Sequence, residues 1–159
     1  MTIRPEDGFP GGSVYRIKKG EPFRAVSRSP GETRMIGYAF GKGLDRGDIV
    51  YIYGDIGAGK TVFTSGVAAA LGIRDYITSP TFTIANFYEG SLPLCHFDAF
   101  RIENGDELLE TGFFDYSGGN CVVIVEWADR LNGYMPDSRI DVFIETVNFS
   151  ETERIIRIG

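Results

Sequence analysis

Residues 49–61, Ile-Val-Tyr-Ile-Tyr-Gly-Asp-Ile-Gly-Ala-Gly-Lys-Thr, join a β-branched and aromatic run to a glycine-rich loop, and a helix-forming run follows as far as Leu71. Ile49 to Tyr53 has the composition of a buried parallel strand. Gly54 to Thr61 fits G-x-x-x-x-G-K-[ST], the phosphate-binding loop. The pattern is a physical device: a glycine-rich turn exposes main-chain N–H groups around an anion. The dipole of the helix beyond it favours negative charge at the same point. Lys60 is placed to reach β- and γ-phosphates, and the Thr61 hydroxyl to bind Mg²⁺. A glycine-rich turn between two ordinary elements is the competing reading. It is disfavoured because strand, loop and helix stand in the required order, with Gly72 as a natural helix stop.

The 159 residues suit one domain with a real core. Residues 1–20 hold several glycines and prolines with weak periodicity and are expected to form an extended or loosely packed extension. Residues 21–159 are then the single folded domain. The first dozen residues, MTIRPEDGFPGG, lack the apolar run of a signal peptide. No apolar run approaches the ~18 residues a membrane span requires. Cys95 and Cys121 sit inside apolar runs, as small core residues do in a reducing compartment. A cytoplasmic protein is expected, with neither membrane nor DNA as partner. Acidic residues outnumber basic ones, 22 to 16, so any nucleic acid it serves is expected to be held by a partner.

The remaining elements follow from local signals. Phe23 to Ser27 reads as a strand. Ser29-Pro30-Gly31-Glu32 reads as a capped helix start, with the helix running to Gly41 or Gly43. Thr81 to Tyr88, Leu92 to Phe97 and Cys121 to Val125 read as strands, Asp106 to Thr111 as a short helix, and Ile140 to Val147 with Glu153 to Ile158 as a hairpin. The expected fold is α/β: a P-loop NTPase-like, mainly parallel sheet with few helices and a C-terminal antiparallel hairpin on an edge.

In open α/β sheets ligands bind outside the carboxyl ends of the strands, so acids that directly follow hydrophobic strands are the candidates to complete the site. Two fit: Asp98 after Leu92–Phe97, and Glu126 after Cys121–Val125. Each has the form of a Walker B acid. His96, the single histidine, reads as packed beside the site rather than as a ligand. Trp127 is as well suited to packing on nucleotide as to filling the sheet edge. Arg101 and Arg130 follow the two acids closely but read as surface arginines.

Four segments together, GDIGAGKT at 54–61, SPTFTIANFY at 79–88, HFDAFRI at 96–102 and IVEWADR at 124–130, resemble the TsaE (YjeE) family of small bacterial P-loop ATPases. The resemblance runs from about Ser29 to the C-terminal hairpin. It implies ATP binding and hydrolysis to ADP with Mg²⁺. By carry-over the nucleotide is bordered by Gly54, Gly57, Ala58, Gly59, Lys60, Thr61 and Val62, with Trp127 beside them. Thr61 and Glu126 match the Mg²⁺ ligands. Lys60, Asp98, Glu126 and Thr81 match the residues tied to turnover, Thr81 in a switch-like loop over the γ-phosphate. Ser29 and Ser150 fall where the family's nucleotide meets the N-terminal segment and the hairpin. The family acts with TsaD and TsaB in forming threonylcarbamoyladenosine (t6A) at position 37 of tRNAs, and ATP hydrolysis drives or resets that complex. Contact with tRNA is therefore expected only through the partners. Val62 stands where many members carry a second threonine, a departure that leaves the chemistry of Thr61 intact.

The main alternative is a small-molecule kinase, but the connecting segments are too short for its usual lid and acceptor insertions. A GTP switch would need an N-K-x-D motif, which is absent from the sequence. Intact Lys60, Thr61, Asp98 and Glu126 argue against a module that no longer hydrolyses.

Overall fold

The computed structural model describes residues 15–80, 83–116, 119–131, 136 and 138–159. Thr81 and residues 1–14 of the expected extension lie outside them. The described end of that extension runs against the domain: Tyr15 and Ile17 pack on the core, and Tyr15 meets Phe23 edge-on with ring centroids 6.3 Å apart.

Seven strands form one sheet: β1 (Phe23–Ser27), β2 (Ile49–Tyr53), β3 (Ala85–Tyr88), β4 (Leu94–Asp98), β5 (Val122–Glu126), β6 (Ile140–Thr146) and β7 (Arg154–Ile158). Their spatial order is β1-β7-β6-β2-β5-β4-β3. The four central strands, β6, β2, β5 and β4, run parallel to one another. The pairs β6–β7, β1–β7 and β3–β4 are antiparallel, so the parallel character is confined to the centre. The C-terminal hairpin forms as expected but does not supply the sheet edge, because β1 pairs outside β7.

Among the described residues four α-helices accompany the sheet: α1 (Pro30–Gly41), α2 (Lys60–Ala70), α3 (Gly105–Glu110) and α4 (Phe113–Tyr116). Side-chain alternation divides the core into two layers. Val50, Ile52, Val122, Ile124, Val142 and Ile144 face α1 and α2. Tyr51, Cys95, Phe97, Val123 and Val125 face α3 and α4 on the other side. Val122 to Val125 are each 1% exposed or less, and burying such side chains contributes about 1.5–3 kcal/mol apiece. This burial on both faces explains the unbroken apolar run of β5.

Two strands are shorter than their sequence runs. The expected strand from Thr81 begins only at Ala85, because Ile84 turns to φ +68° and donates its N–H to Pro80 O at 2.7 Å. The strand expected from Leu92 starts at Leu94, after Pro93, which has no N–H for a ladder. Helix α4 and a 3₁₀ turn at Ala128–Leu131 had no sequence signal; four residues are too few to show a period.

Candidate nucleotide site

Gly59 adopts φ +101° and stands at the N-terminus of α2, where no side chain caps the helix. A β-carbon would be disfavoured by that left-handed backbone, which the glycine adopts freely. The first N–H groups of α2 are thus left available to an external anion. A cavity of about 490 Å³ opens at this point, lined by Ile56, Gly57, Gly59 to Val62, Ser79, Phe100, Glu126 and Trp127.

Lys60 is only 6% exposed. Its Nζ donates to Gly54 O at 2.7 Å and Asp55 O at 2.9 Å, and lies 4.2 Å from the Trp127 ring centroid. Burial pulls its pKa below the ordinary lysine value, while Glu126, Asp98, Asp55 and Asp129 oppose that shift. The ammonium is therefore partly desolvated and held by carbonyls that a phosphate can replace.

Sheet register brings the acids together. Asp98 pairs with Glu126, and Glu126 with Ile52, in one row at the carboxyl ends of β4, β5 and β2. Glu126 is 2% exposed, and Thr61 Oγ1 donates to its Oε1 at 3.2 Å. Asp98, 3% exposed, accepts the Phe100 N–H at 2.8 Å and the Ser79 hydroxyl at 3.4 Å. Among the described residues there is no cluster of three or more acidic, histidine or cysteine side chains that would cage a metal by itself. Mg²⁺ suits a different arrangement, one or two protein oxygens plus phosphates and water, and the Thr61–Glu126 pair supplies hard oxygens of that kind.

His96 is packed beside the candidate site, as its sequence context suggested, and it contacts one of the candidate acids directly. Fully buried, it donates from Nε2 to Glu126 Oε1 at 2.9 Å, and its Nδ1 has no hydrogen-bond partner among the described residues. A carboxylate can only accept, so the proton of this bond belongs to Nε2. Thr61 and His96 converge on the same carboxylate oxygen and fix its direction.

The other expected residues fall at different depths. Gly57, Gly59, Lys60, Thr61, Val62, Glu126 and Trp127 line the cavity; Gly54 and Ala58 form the loop behind it, and Asp98 backs it from β4. Ser29 and Ser150 are not among the described lining residues. The Ser29 hydroxyl caps α1 by accepting the Glu32 N–H at 3.1 Å, and the Ser150 hydroxyl accepts the Glu153 N–H at 3.0 Å. Trp127 takes φ +56° and packs tilted against Phe100 with ring centroids 5.0 Å apart, and Arg130 lies over Phe100. Phe100, Ile56 and Ser79 are lining residues that the sequence motifs did not single out.

Residues 27–156 match the profile of TsaE, described as threonylcarbamoyl adenosine biosynthesis protein TsaE. The chain belongs to the TsaE family. Bacillus subtilis TsaE is 40% identical over 79% of this chain and 78% of its own, and Treponema pallidum TsaE 35% over 78% and 92%. Both carry the name tRNA threonylcarbamoyladenosine biosynthesis protein. A crystal structure of B. subtilis YdiB superposes with a TM-score of 0.74 at 32% identity, covering 87% of this chain and 84% of that one. The TsaE membership accounts for the P-loop fold. No helix among the described residues is long and apolar enough to cross a membrane.

Proposed function

We propose that the protein is a Mg²⁺-dependent ATPase that binds ATP, hydrolyses it to ADP, and so drives or resets a TsaB/TsaD complex that forms t6A on tRNA. The observation that carries this reading is the meeting of the Thr61 hydroxyl and Glu126 carboxylate, 3.2 Å apart, at the mouth of a phosphate loop whose lysine is buried. The N–H groups from Gly59 to Val62 would receive the phosphate oxygens. Lys60 would exchange its two carbonyl contacts for the β- and γ-phosphates. Thr61 and Glu126 would hold Mg²⁺, which neutralises phosphate charge when bound, and His96 keeps Glu126 aimed. Asp98, one strand away, would orient water. Thr81 belongs to the same proposal as a group over the γ-phosphate.

Such a site orients and neutralises but lacks an obvious arginine over the γ-phosphate among its described lining residues. Charge stabilisation from a partner is the usual remedy. The formal charge of −6 suits a protein whose partners hold the tRNA. The test is phosphate release by the purified protein, alone and with TsaB and TsaD. Slow turnover that rises with the pair, and falls about a hundredfold or more in Lys60→Ala, supports the proposal. Phosphate transfer to a small acceptor faster than hydrolysis would instead establish a kinase.

A further inference from the structure

Arg154, at the start of β7, reaches across to the phosphate loop. Its Nε donates to Ala58 O at 3.0 Å and its terminal NH2 group to Gly57 O at 3.1 Å. The third contact, from NH1, goes to Glu153 O at 2.8 Å. All three acceptors are main-chain carbonyls, and Arg154 enters none of the ion pairs among the described residues. A permanently charged guanidinium is thus anchored behind the loop with its charge unmatched by a carboxylate.

Peptide geometry gives these contacts a consequence. In a trans peptide the C=O of one residue and the N–H of the next point in opposite directions. Holding the Gly57 carbonyl toward β7 turns the Ala58 N–H the other way, where it closes the loop on Asp55 O at 3.0 Å. Holding the Ala58 carbonyl turns the Gly59 N–H away from Arg154, on the side where Gly59 lines the cavity. The same hydrogen bonds draw electron density toward the guanidinium and sharpen the N–H dipoles at the far end of each peptide. Glycines on both sides of Ala58 leave the loop free to flip unless something pins it, and both have positive φ.

We propose that Arg154 is a positioning residue: it clamps two successive peptide planes of the phosphate loop from the C-terminal hairpin, holding the Ala58 N–H on Asp55 O and so aiming the Gly59 N–H at the phosphates of the nucleotide. The function of the clamp rests on the nucleotide-binding reading above, but its structural half does not.

Two measurements on the intact protein separate the two. Amide hydrogen exchange of the ligand-free protein reports residues 55–60 directly. Fluorescence of the single tryptophan, Trp127, reports ADP and adenosine binding. Arg154→Met keeps the aliphatic stem and should speed exchange in the loop and weaken ADP about tenfold or more, leaving adenosine unaffected. Arg154→Lys keeps the charge without the two-pronged fork and should recover part of the ADP affinity. Exchange and ADP affinity both unchanged in Arg154→Met would overturn the proposal. Weaker ADP binding with unaltered loop exchange would overturn it too, leaving only a remote charge effect. Equal losses for ADP and adenosine would reduce Arg154 to a general structural role and overturn it likewise. If the unsubstituted protein bound no nucleotide while Arg154→Met still loosened the loop, the clamp would stand and the ATPase reading would fall.

Discussion

His96 shows how much one buried contact can organise. Its Nε2 and the Thr61 hydroxyl share Glu126 Oε1, so the carboxylate is held from the strand beside it and from the helix above it. The cost of that arrangement is Nδ1, a buried polar atom with no hydrogen-bond partner among the described residues. Outer partners of this kind typically contribute tenfold or more to metal affinity. His96→Asn should therefore raise the Mg²⁺ concentration for half-maximal ATP turnover by about tenfold, with turnover at saturating Mg²⁺ changed less. A Mg²⁺ titration of the initial rate checks this, and an unmoved midpoint would leave His96 as filling only. Asp98 and Glu126 were legible in the sequence because each closes a hydrophobic strand. The role of His96 was not. It depends on β4 lying next to β5 in one particular register, which a single strand cannot reveal. Arg154 was hidden for a related reason: its two loop partners lie nearly a hundred residues earlier in the chain.

At the scale of elements, α1 and α2 pack through their backbones. A β-carbon on Gly66 would stand 2.0 Å from Arg34 O, and one on Gly37 2.2 Å from Phe63 O. Gly66 reads from sequence alone as a weak point in α2, since glycine costs a helix about 1 kcal/mol against alanine. The contact with α1 is what the glycine makes possible. Gly66→Ala would gain that intrinsic term but force main-chain atoms apart, and overpacking of a rigid contact costs about 1–3 kcal/mol or more. Sterics should win, because neither backbone can yield as a side chain would. The urea midpoint of Gly66→Ala should fall; an unchanged or higher midpoint would show that the helices separate without penalty. The strand–loop–helix unit was readable because it is contiguous. The place of β1 outside β7 was not, since pairing between the two ends of the domain leaves no local pattern.

At the scale of the whole molecule, the described residues form a two-layered core around a sheet whose parallel centre brings the carboxyl end of β5, at Glu126, to the phosphate-loop cavity. Both cysteines belong to that core, Cys95 at 1% and Cys121 at 5% exposure. Burial pushes the Cys95 thiol up to about 12 and raises that of Cys121 as well. At pH 8 the reactive thiolate is therefore scarce as well as shielded. An aromatic disulfide reagent should leave both thiols untouched in the folded protein and titrate both in denaturant. Fast labelling without denaturant would mean that the α3–α4 layer opens readily.

The account depends most on the loop and the Glu126 carboxylate acting on one nucleotide through one metal ion. The direct measurement is Mg²⁺-dependent ATP turnover by Glu126→Gln, a substitution that keeps the side chain's shape, alongside Mg²⁺-free ATP binding followed at Trp127. The result predicted is at least a tenfold loss of Mg²⁺-dependent turnover with Mg²⁺-free binding nearly preserved. An unchanged Mg²⁺ requirement, or a tryptophan signal that ignores ATP in the unsubstituted protein, would contradict it.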